Sequence, residues 1–478
     1  MKSKSISLFL ALIPIIVLVA LLSFNVMQYG DDALSGSNQF ILLLGAAVAA
    51  AVGLRLKISY HTMIEKVAEN LQSVTGALLI LLFVGALAGT WLLSGIIPAM
   101  IYYGLQILHP TIFLPACIFI CAIISLATGS SWTTSATVGI ALIGIGKVLG
   151  IPMGMTAGAV ISGAYFGDKL SPLSDTTNLA PAMAGGELFT HIRYMTLTTL
   201  PSIIITLIVF LIIGFTQETS GVADTETLML AIREKFTINF ALFIVPALVI
   251  FMIVKKSPPL VALLIGTLLG GLFAVIFQGP VILEVAEASV LSFESAYRAV
   301  MDSITVSTQI TTTNPLLNDL FSSGGMEGML GTIWLIICAM VFGGVMDAIG
   351  ALSAISNALL EWAKTTFQLF ASTVASCLAI NLTASDQYLS IVIPGKMFAK
   401  AYRDRGLAPE NLSRTLEDSG TVTSVLIPWN TCGAYQSGVL GVGVGEYFFY
   451  AIFNWLSPLM TLLYAALRIK IRTLQNPI

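Results

Sequence analysis

The chain has 478 residues, of which 56% are hydrophobic and only 10% charged, with a mean hydropathy of +0.92. Soluble domains carry about a quarter charged residues, so this composition excludes a soluble globular protein and places most of the chain in lipid. The formal net charge of −3 and the lack of a basic stripe exclude a nucleic-acid binder.

Met1-Lys-Ser-Lys precedes a long apolar run, Ile6 to Phe24. A cleaved leader has a shorter apolar core, so this run reads as a retained first helix near 6–26. Further full spans are expected near 39–53, 75–95, 196–215, 236–254, 258–277, 328–347 and 447–467, ten in all with two interrupted ones near 153–185 and 411–441. Lys57 to Val74 and Leu352 to Thr365 carry charges among apolar residues at helical spacing, the pattern of a helix lying along the membrane surface. The segments 111–149 and 366–396 run apolar, then small and polar, then apolar again. Each is either two spans or one re-entrant hairpin. The 279–327 connection holds an amphipathic stretch, Val281 to Met301, and the hydroxyl-rich Ser303 to Thr313; a connection of that length usually has a job.

Lys and Arg in short loops mark the cytoplasmic face. With Lys2 and Lys4 inside and both ambiguous segments read as hairpins, Arg55, Lys57, Arg193, Lys255, Lys256, Lys396, Lys400, Arg403 and Arg405 all fall inside, as does Arg468 to Arg472. The acids Glu218, Asp224 and Glu226 fall outside, and only Lys147 is awkward. Both termini are then cytoplasmic. The halves 1–215 and 216–478 enter the membrane with opposite hands, as inverted repeats do. An offset of 255 residues maps Gly95 onto Gly350, Thr128 onto Thr383 and Ser130 onto Ser385. The fold class expected is an all-α polytopic membrane protein with inverted repeats, two re-entrant hairpins and two broken helices.

Four polar breaks carry the chemistry: Ala127 to Ser131, Gly167 to Asn178, Leu382 to Asp386, and Glu417 to Thr421 continuing into Ile427-Pro-Trp-Asn-Thr-Cys-Gly433. Unwound backbone at membrane depth is tolerated only where it is buried in protein or lines a wet cavity. Broken helices in corresponding positions of two halves point to a carrier's central site. Pro172, Pro181 and Pro428 each remove a helical hydrogen bond. An Asp at the centre of a membrane helix costs about 2.5–3.5 kcal/mol, so acids there are functional candidates. Asp168, Asp175, Asp386 and Asp418 are the candidate proton and ion carriers, with Glu417 and Asp347 secondary. Oxygen ligands suited to Na⁺ are Thr128, Ser130, Ser131, Ser171, Ser174, Thr176, Asn178, Thr383, Ser385, Asn430 and Thr431, helped by carbonyls at half-helix C-termini. No metal other than Na⁺ and no cofactor is called for. The five cysteines lie in apolar or gate-like segments as small hydrophobes, and His61, His109 and His191 form no zinc-type pair. An enzyme is therefore not expected.

Burial disfavours the charged form of a carboxylate, so a proton and a sodium ion compete to neutralise it. A site that faces each side in turn then acts as an exchanger. Gly129-Ser-Ser-Trp-Thr-Thr-Ser-Ala-Thr-Val-Gly139, Gly163-Ala-Tyr-Phe-Gly-Asp-Lys-Leu-Ser-Pro-Leu-Ser-Asp-Thr-Thr-Asn178, Ser323-Gly-Gly-Met-Glu-Gly-Met329 and Pro428-Trp-Asn-Thr-Cys-Gly433 resemble the NhaC-type sodium/proton antiporters, over nearly the whole chain. The resemblance implies Na⁺/H⁺ exchange in the cell membrane, homodimers with a scaffold and a moving transport domain (an elevator), and Na⁺ ligands within 171–178 and 428–431. The family also holds an exchanger of malate and protons for lactate and sodium, which leaves organic-acid coupling as the alternative.

Overall fold

The computed structural model describes residues 6–29, 33, 36–107, 109–216 and 225–474; Lys2, Lys4, Glu218 and Asp224 lie outside that set. Nearly everything described is helical. The first group is α1 (Leu8–Tyr29), α2 (Ser37–Arg55) and α3 (Tyr60–Leu93), followed by the short α4 (Ile96–Ile107). Ser59 starts α3 by accepting the Thr62 N–H at 3.1 Å, a side-chain N-cap. The surface helix expected over 57–74 and the span expected over 75–95 are thus one 34-residue helix, because no residue between them breaks the backbone ladder.

Next come α5 (Pro110–Thr128), α6 (Ser131–Thr134), a π turn (Ser135–Gly139) and α7 (Ile140–Val148), then α8 (Met153–Leu170), α9 (Asp175–Ala184) and α10 (Leu188–Thr216). A further helix, α11 (Thr225–Lys235), meets a 3₁₀ turn and α12 (Ile244–Val254) at a bend of 85°. Beyond α13 (Pro259–Phe277), the long connection folds into α14 (Gly279–Val285), α15 (Phe293–Thr305) and α16 (Pro315–Leu320). Its hydroxyl-rich part pairs Thr308-Gln309 with Ser322-Ser323 in a two-residue antiparallel ladder.

The chain continues as α17 (Leu330–Ala348), α18 (Ala351–Trp362), α19 (Thr366–Thr383), α20 (Gln387–Asp404), α21 (Pro409–Leu416), a π turn (Glu417–Thr421), α22 (Thr431–Leu440), α23 (Val444–Tyr447) and α24 (Ile452–Ala466). Eight described helices are long and apolar enough to cross a membrane, and the bent pair makes a ninth. Two of the eight, α5 and α19, are the first arms of the segments expected to be hairpins.

Element ends recur at a nearly fixed spacing. Leu93 and Ala348, Ile96 and Ala351, and Ile107 and Trp362 are each 255 residues apart, and each pair is the same end of corresponding helices. Thr128 and Thr383 end α5 and α19 at that offset. The next helices begin at Ser131 and Gln387, an offset of 256, so the second tip is one residue longer. At 256, Asp175–Ala184 falls on Thr431–Leu440, and each helix ends at a left-handed glycine, Gly185 or Gly441.

α1, α2, α3 and α17 pack as one group, with α13 and α15 attached through α3. In the second group α5 packs along α8, and α9, α20 and α21 pack on one another. The α5–α8 approach depends on Gly167, where a Cβ would lie 2.3 Å from the Ala122 carbonyl oxygen. α10 splits into two faces. Thr198, Thr199, Ser202 and Thr206 are buried, whereas Ile204, Ile208, Ile212 and Phe215 are exposed. An apolar exterior over a polar interior is what lipid as a solvent selects.

Candidate functional site

The four breaks meet at one cavity of about 690 Å³. Thr128, Ser130, Asp168, Ser174, Asp175 and Thr176 line it from the first half, and Asp386 and Thr431 from the second. The tip between α5 and α6 turns at Gly129, whose φ is +71°; a Cβ there would meet Leu173 at 2.6 Å. Glycine alone lets this tip press against the break of the neighbouring helix. Ser130 then caps α6, accepting the Thr133 N–H at 3.2 Å.

Asp168 fastens the end of α8 to that tip. Its Oδ2 accepts the Ser131 N–H at 3.1 Å and the Ser131 hydroxyl at 2.7 Å. A buried carboxylate needs such donors, and these two come from a single residue across the break. The α8–α9 break is satisfied locally. Asn178 Nδ2 donates to the Pro172 and Ser174 carbonyls at 3.0 and 2.7 Å, and the Thr177 hydroxyl donates to the Lys169 carbonyl at 3.1 Å. Ser174 caps α9 through the Thr177 N–H. Asp175 follows in the first turn, exposed to the cavity, where the positive end of the helix attracts a carboxylate.

In the second half, Thr383 ends α19 and turns its hydroxyl back to the Ala379 carbonyl at 2.7 Å. Ser385 adopts φ +59°. Its hydroxyl is buried without a partner, and its carbonyl accepts the Thr431 N–H at 2.9 Å. Asp386 caps α20 through the Leu389 N–H at 2.9 Å. Asn430 caps α22 through the Cys432 N–H at 3.1 Å and donates to the Asn381 carbonyl, also at 3.1 Å. Asn381 in turn donates to the Gly420 carbonyl at 2.7 Å, tying the second tip to the second broken helix. The halves also touch directly: Trp132 stacks on Tyr435 with ring centroids 4.0 Å apart, and the Tyr435 hydroxyl donates to the Trp132 carbonyl.

Three of the four first-choice acids, Asp168, Asp175 and Asp386, line the cavity. Asp418 does not. It is wholly buried in an ion pair with Lys169 and accepts hydrogen bonds from the Thr198 hydroxyl at 2.8 Å and from Thr461. Glu417 is buried away from the cavity lining, and Asp347 sits beside Lys66 at 3.8 Å. Ser171 is buried and accepts the Leu173 N–H at 3.2 Å, and Asn178 works on backbone carbonyls, so both shape the break from within. Half-helix C-termini are not the only dipoles presented. Ser130, Asp386 and Thr431 place helix N-termini at the cavity as well, because every break that ends one helix begins another.

Sequence reasoning did not single out Asn381, Trp132 or Tyr435, whose roles come from packing across some 50 to 300 residues. Lys256, Tyr388 and Gln387 also reach the cavity. Lys256 had a signal, as a basic loop residue. The five cysteines are buried and unpaired, in keeping with their reading as small hydrophobes.

A family model described as the Na⁺/H⁺ antiporter family matches residues 163–469. The chain is 36% identical over 430 residues to the Na⁺/H⁺ antiporter NhaC of Alkalihalophilus pseudofirmus, covering 90% of each chain. It is 37% identical to a malate-2H⁺/Na⁺-lactate antiporter of Bacillus subtilis, over 88% of this chain and 86% of that one. An arginine/ornithine antiporter, ArcD of Halobacterium salinarum, is 33% identical over 95% of this chain and 90% of its own length.

Proposed function

The chain belongs to the Na⁺/H⁺ antiporter family, and from that premise we propose that it exchanges Na⁺ for H⁺ across the cytoplasmic membrane by alternating access. Members of the family are transporters, and no enzymatic step is invoked. One observation carries the reading: Asp168, Asp175 and Asp386 face a single cavity where four helix breaks converge. Asp175 is the open carboxylate there. A sodium ion bound to it draws further oxygens from Ser174, Thr176, Thr128 and Ser130, and a proton on the same carboxylate removes the charge that holds the ion. Asp168 and Asp386 complete the acidic wall. In this reading the two halves are inverted repeats, the breaks at 129–130 and 384–386 are hairpin tips, and the termini are cytoplasmic. The support for these points is the near-constant register of element ends and the Lys/Arg bias of the loops. A moving bundle built on the four breaks slides as an elevator against the group around α3 and α17, in a homodimer.

The test is pH-gradient dissipation by the purified protein in proteoliposomes. Added Na⁺ discharges an imposed gradient in the wild type and leaves it standing in protein-free vesicles. No sodium-dependent proton movement at any gradient would defeat the reading.

A second reading has its own support. A cavity near 690 Å³ falls within the range of about 300–1,000 Å³ typical of organic-ligand sites, and it offers Lys256 and several helix N-termini to a carboxylate. These features fit an organic acid moving with the ions, as in malate-proton exchange for sodium-lactate. Malate and lactate supplied on opposite faces of the same vesicles separate the readings, since only the second makes exchange depend on them.

A further inference from the structure

α21 and the π turn after it hold a long polar stretch that is buried outside the cavity. Every residue from Glu410 to Thr421 is buried. Neither Glu417 oxygen makes a hydrogen bond of ordinary geometry, although the Thr421 hydroxyl one turn on is close enough to interact. One turn earlier, Arg414 presents Nε, Nη1 and Nη2 without a hydrogen-bonding partner, its guanidinium 4.6 Å from the Tyr194 ring centroid. His191 bonds the Ser413 hydroxyl through Nδ1 at 2.7 Å, and its Nε2 is also unpartnered. A buried polar or charged group without a hydrogen bond is costly, so a stretch that holds Glu417, Arg414 and the facing His191 in that condition calls for bridging water, an exchangeable proton, or both.

The stretch leads to the surface. The Tyr194 hydroxyl donates to Asn411 Oδ1 at 2.7 Å, Asn411 Nδ2 donates to the Arg472 carbonyl at 2.6 Å, and Arg472 pairs with Glu410 at 3.2 Å at a partly exposed edge. At its inner end stands the Lys169–Asp418 pair, and Lys169 directly follows Asp168 of the cavity. The charges that face Glu417 are Lys169 and Asp168 from α8 and Asp418 from its own turn. On the other elements packed against the π turn, the titratable groups are Tyr388, Lys396, Lys400, Tyr402, Arg403 and Asp404 on α20, Cys377 on α19, Tyr464 on α24 and Asp175 on α9, of which Tyr402 and Tyr464 approach Arg414.

We propose that Glu417 is a second proton-carrying carboxyl, reached through this polar column and separate from the groups that bind sodium. The proposal rests on the exchange reading and extends it. A proton delivered by water forms an O–H bond with one Glu417 oxygen, the donating water's O–H bond breaks, and the reverse step returns the proton to water. Deprotonated Glu417 competes with Asp418 for Lys169. The competition pulls on α8, where Asp168 holds the tip at Ser131, and so couples the column to the cavity.

The experiment compares wild type and Glu417→Gln in proteoliposomes by two readouts: sodium-22 counterflow at equal pH, which needs no proton, and sodium uptake driven by a pH gradient. The variant is expected to keep counterflow near the wild-type rate and to cut gradient-driven uptake several-fold, with Asp175 still exchanging its own proton. Retention of both, or loss of both in a protein that still elutes as a folded species, overturns the proposal. Should the variant not fold, His191→Gln decides. Slowed gradient-driven uptake with normal counterflow supports the column, and normal values for both overturn it. A wild type without sodium-dependent proton movement defeats the exchange reading itself and this inference with it.

Discussion

Asp175 and Asp168 are seven residues apart and hold different positions at one cavity, which separates their consequences when altered. Asp175 is exposed to the cavity with no donor fixing it, so Asp175→Asn keeps shape and volume and removes the exchangeable proton. Sodium-dependent dissipation of a pH gradient is expected to vanish while the protein purifies and elutes as wild type; undiminished exchange would remove Asp175 from the site. Lys169 and Asp418 make the opposite case, being both wholly buried. Breaking such a pair from one side costs about 3–5 kcal/mol, because the remaining charge stays buried. Lys169→Met should therefore lower the thermal unfolding midpoint of the solubilised protein sharply, and Lys169→Met with Asp418→Asn should recover most of it. An equal fall in both proteins would mean that the pairing is not what the single variant removes. The acids themselves were visible in the sequence, since a carboxylate in an apolar segment stands out. Their sorting was not. Asp418 and Asp175 look equivalent along the chain, and only the approach of α8 to the second π turn gives one of them a lysine.

Breaks are legible in a sequence because proline, glycine and hydroxyls cluster there, and all four expected breaks interrupt helices within a few residues of their predicted positions. What each polar residue does at a break is less legible, because Ser, Thr, Asn and Asp are also the residues that cap helices. Ser130, Ser174, Asp386 and Asn430 all turn out to be N-caps, a role compatible with ligation through their remaining lone pairs. The unbroken run of α3 from Tyr60 to Leu93 is not legible in the sequence, because charge suggests a surface helix and nothing marks its continuation. Two substitutions test the break geometry. Asn178→Ala leaves the Pro172 and Ser174 carbonyls without their shared donor; Asn178 is exposed and water partly replaces it, so the cost is about 0.5–1.5 kcal/mol. Gly129→Ala forces a side chain into a left-handed turn already filled by Leu173, costing on the order of 1–3 kcal/mol. Both should reduce thermal stability, and Gly129→Ala should in addition slow exchange by displacing the Ser131 donors of Asp168. Wild-type stability in Gly129→Ala would show that the tip does not need its close seat on Leu173.

At the scale of the molecule, the sequence conveys class far better than arrangement. Composition alone requires lipid, and the outward apolar face of α10 against its inward threonines follows from that requirement. The register between halves is weak as identity and much clearer as element ends, because helix boundaries are set by a few capping and turn residues while lipid-facing positions tolerate almost any apolar side chain. Motion is where the arrangement becomes testable. Ser73, Gly76 and Ala77 of α3 form one wall of the cavity, and Leu173, Thr133 and the residues of the breaks form another. If exchange requires these walls to slide past each other, joining them must stop it. A pair of cysteines at Ala77 and Leu173, bridged by a cleavable bifunctional thiol reagent, is expected to abolish sodium-dependent proton movement, and reduction of the reagent should restore it. The five native cysteines are buried, which keeps background labelling low. Exchange that persists in fully bridged protein would mean that α3 and the break of α8 travel together, and the moving boundary would have to be drawn elsewhere.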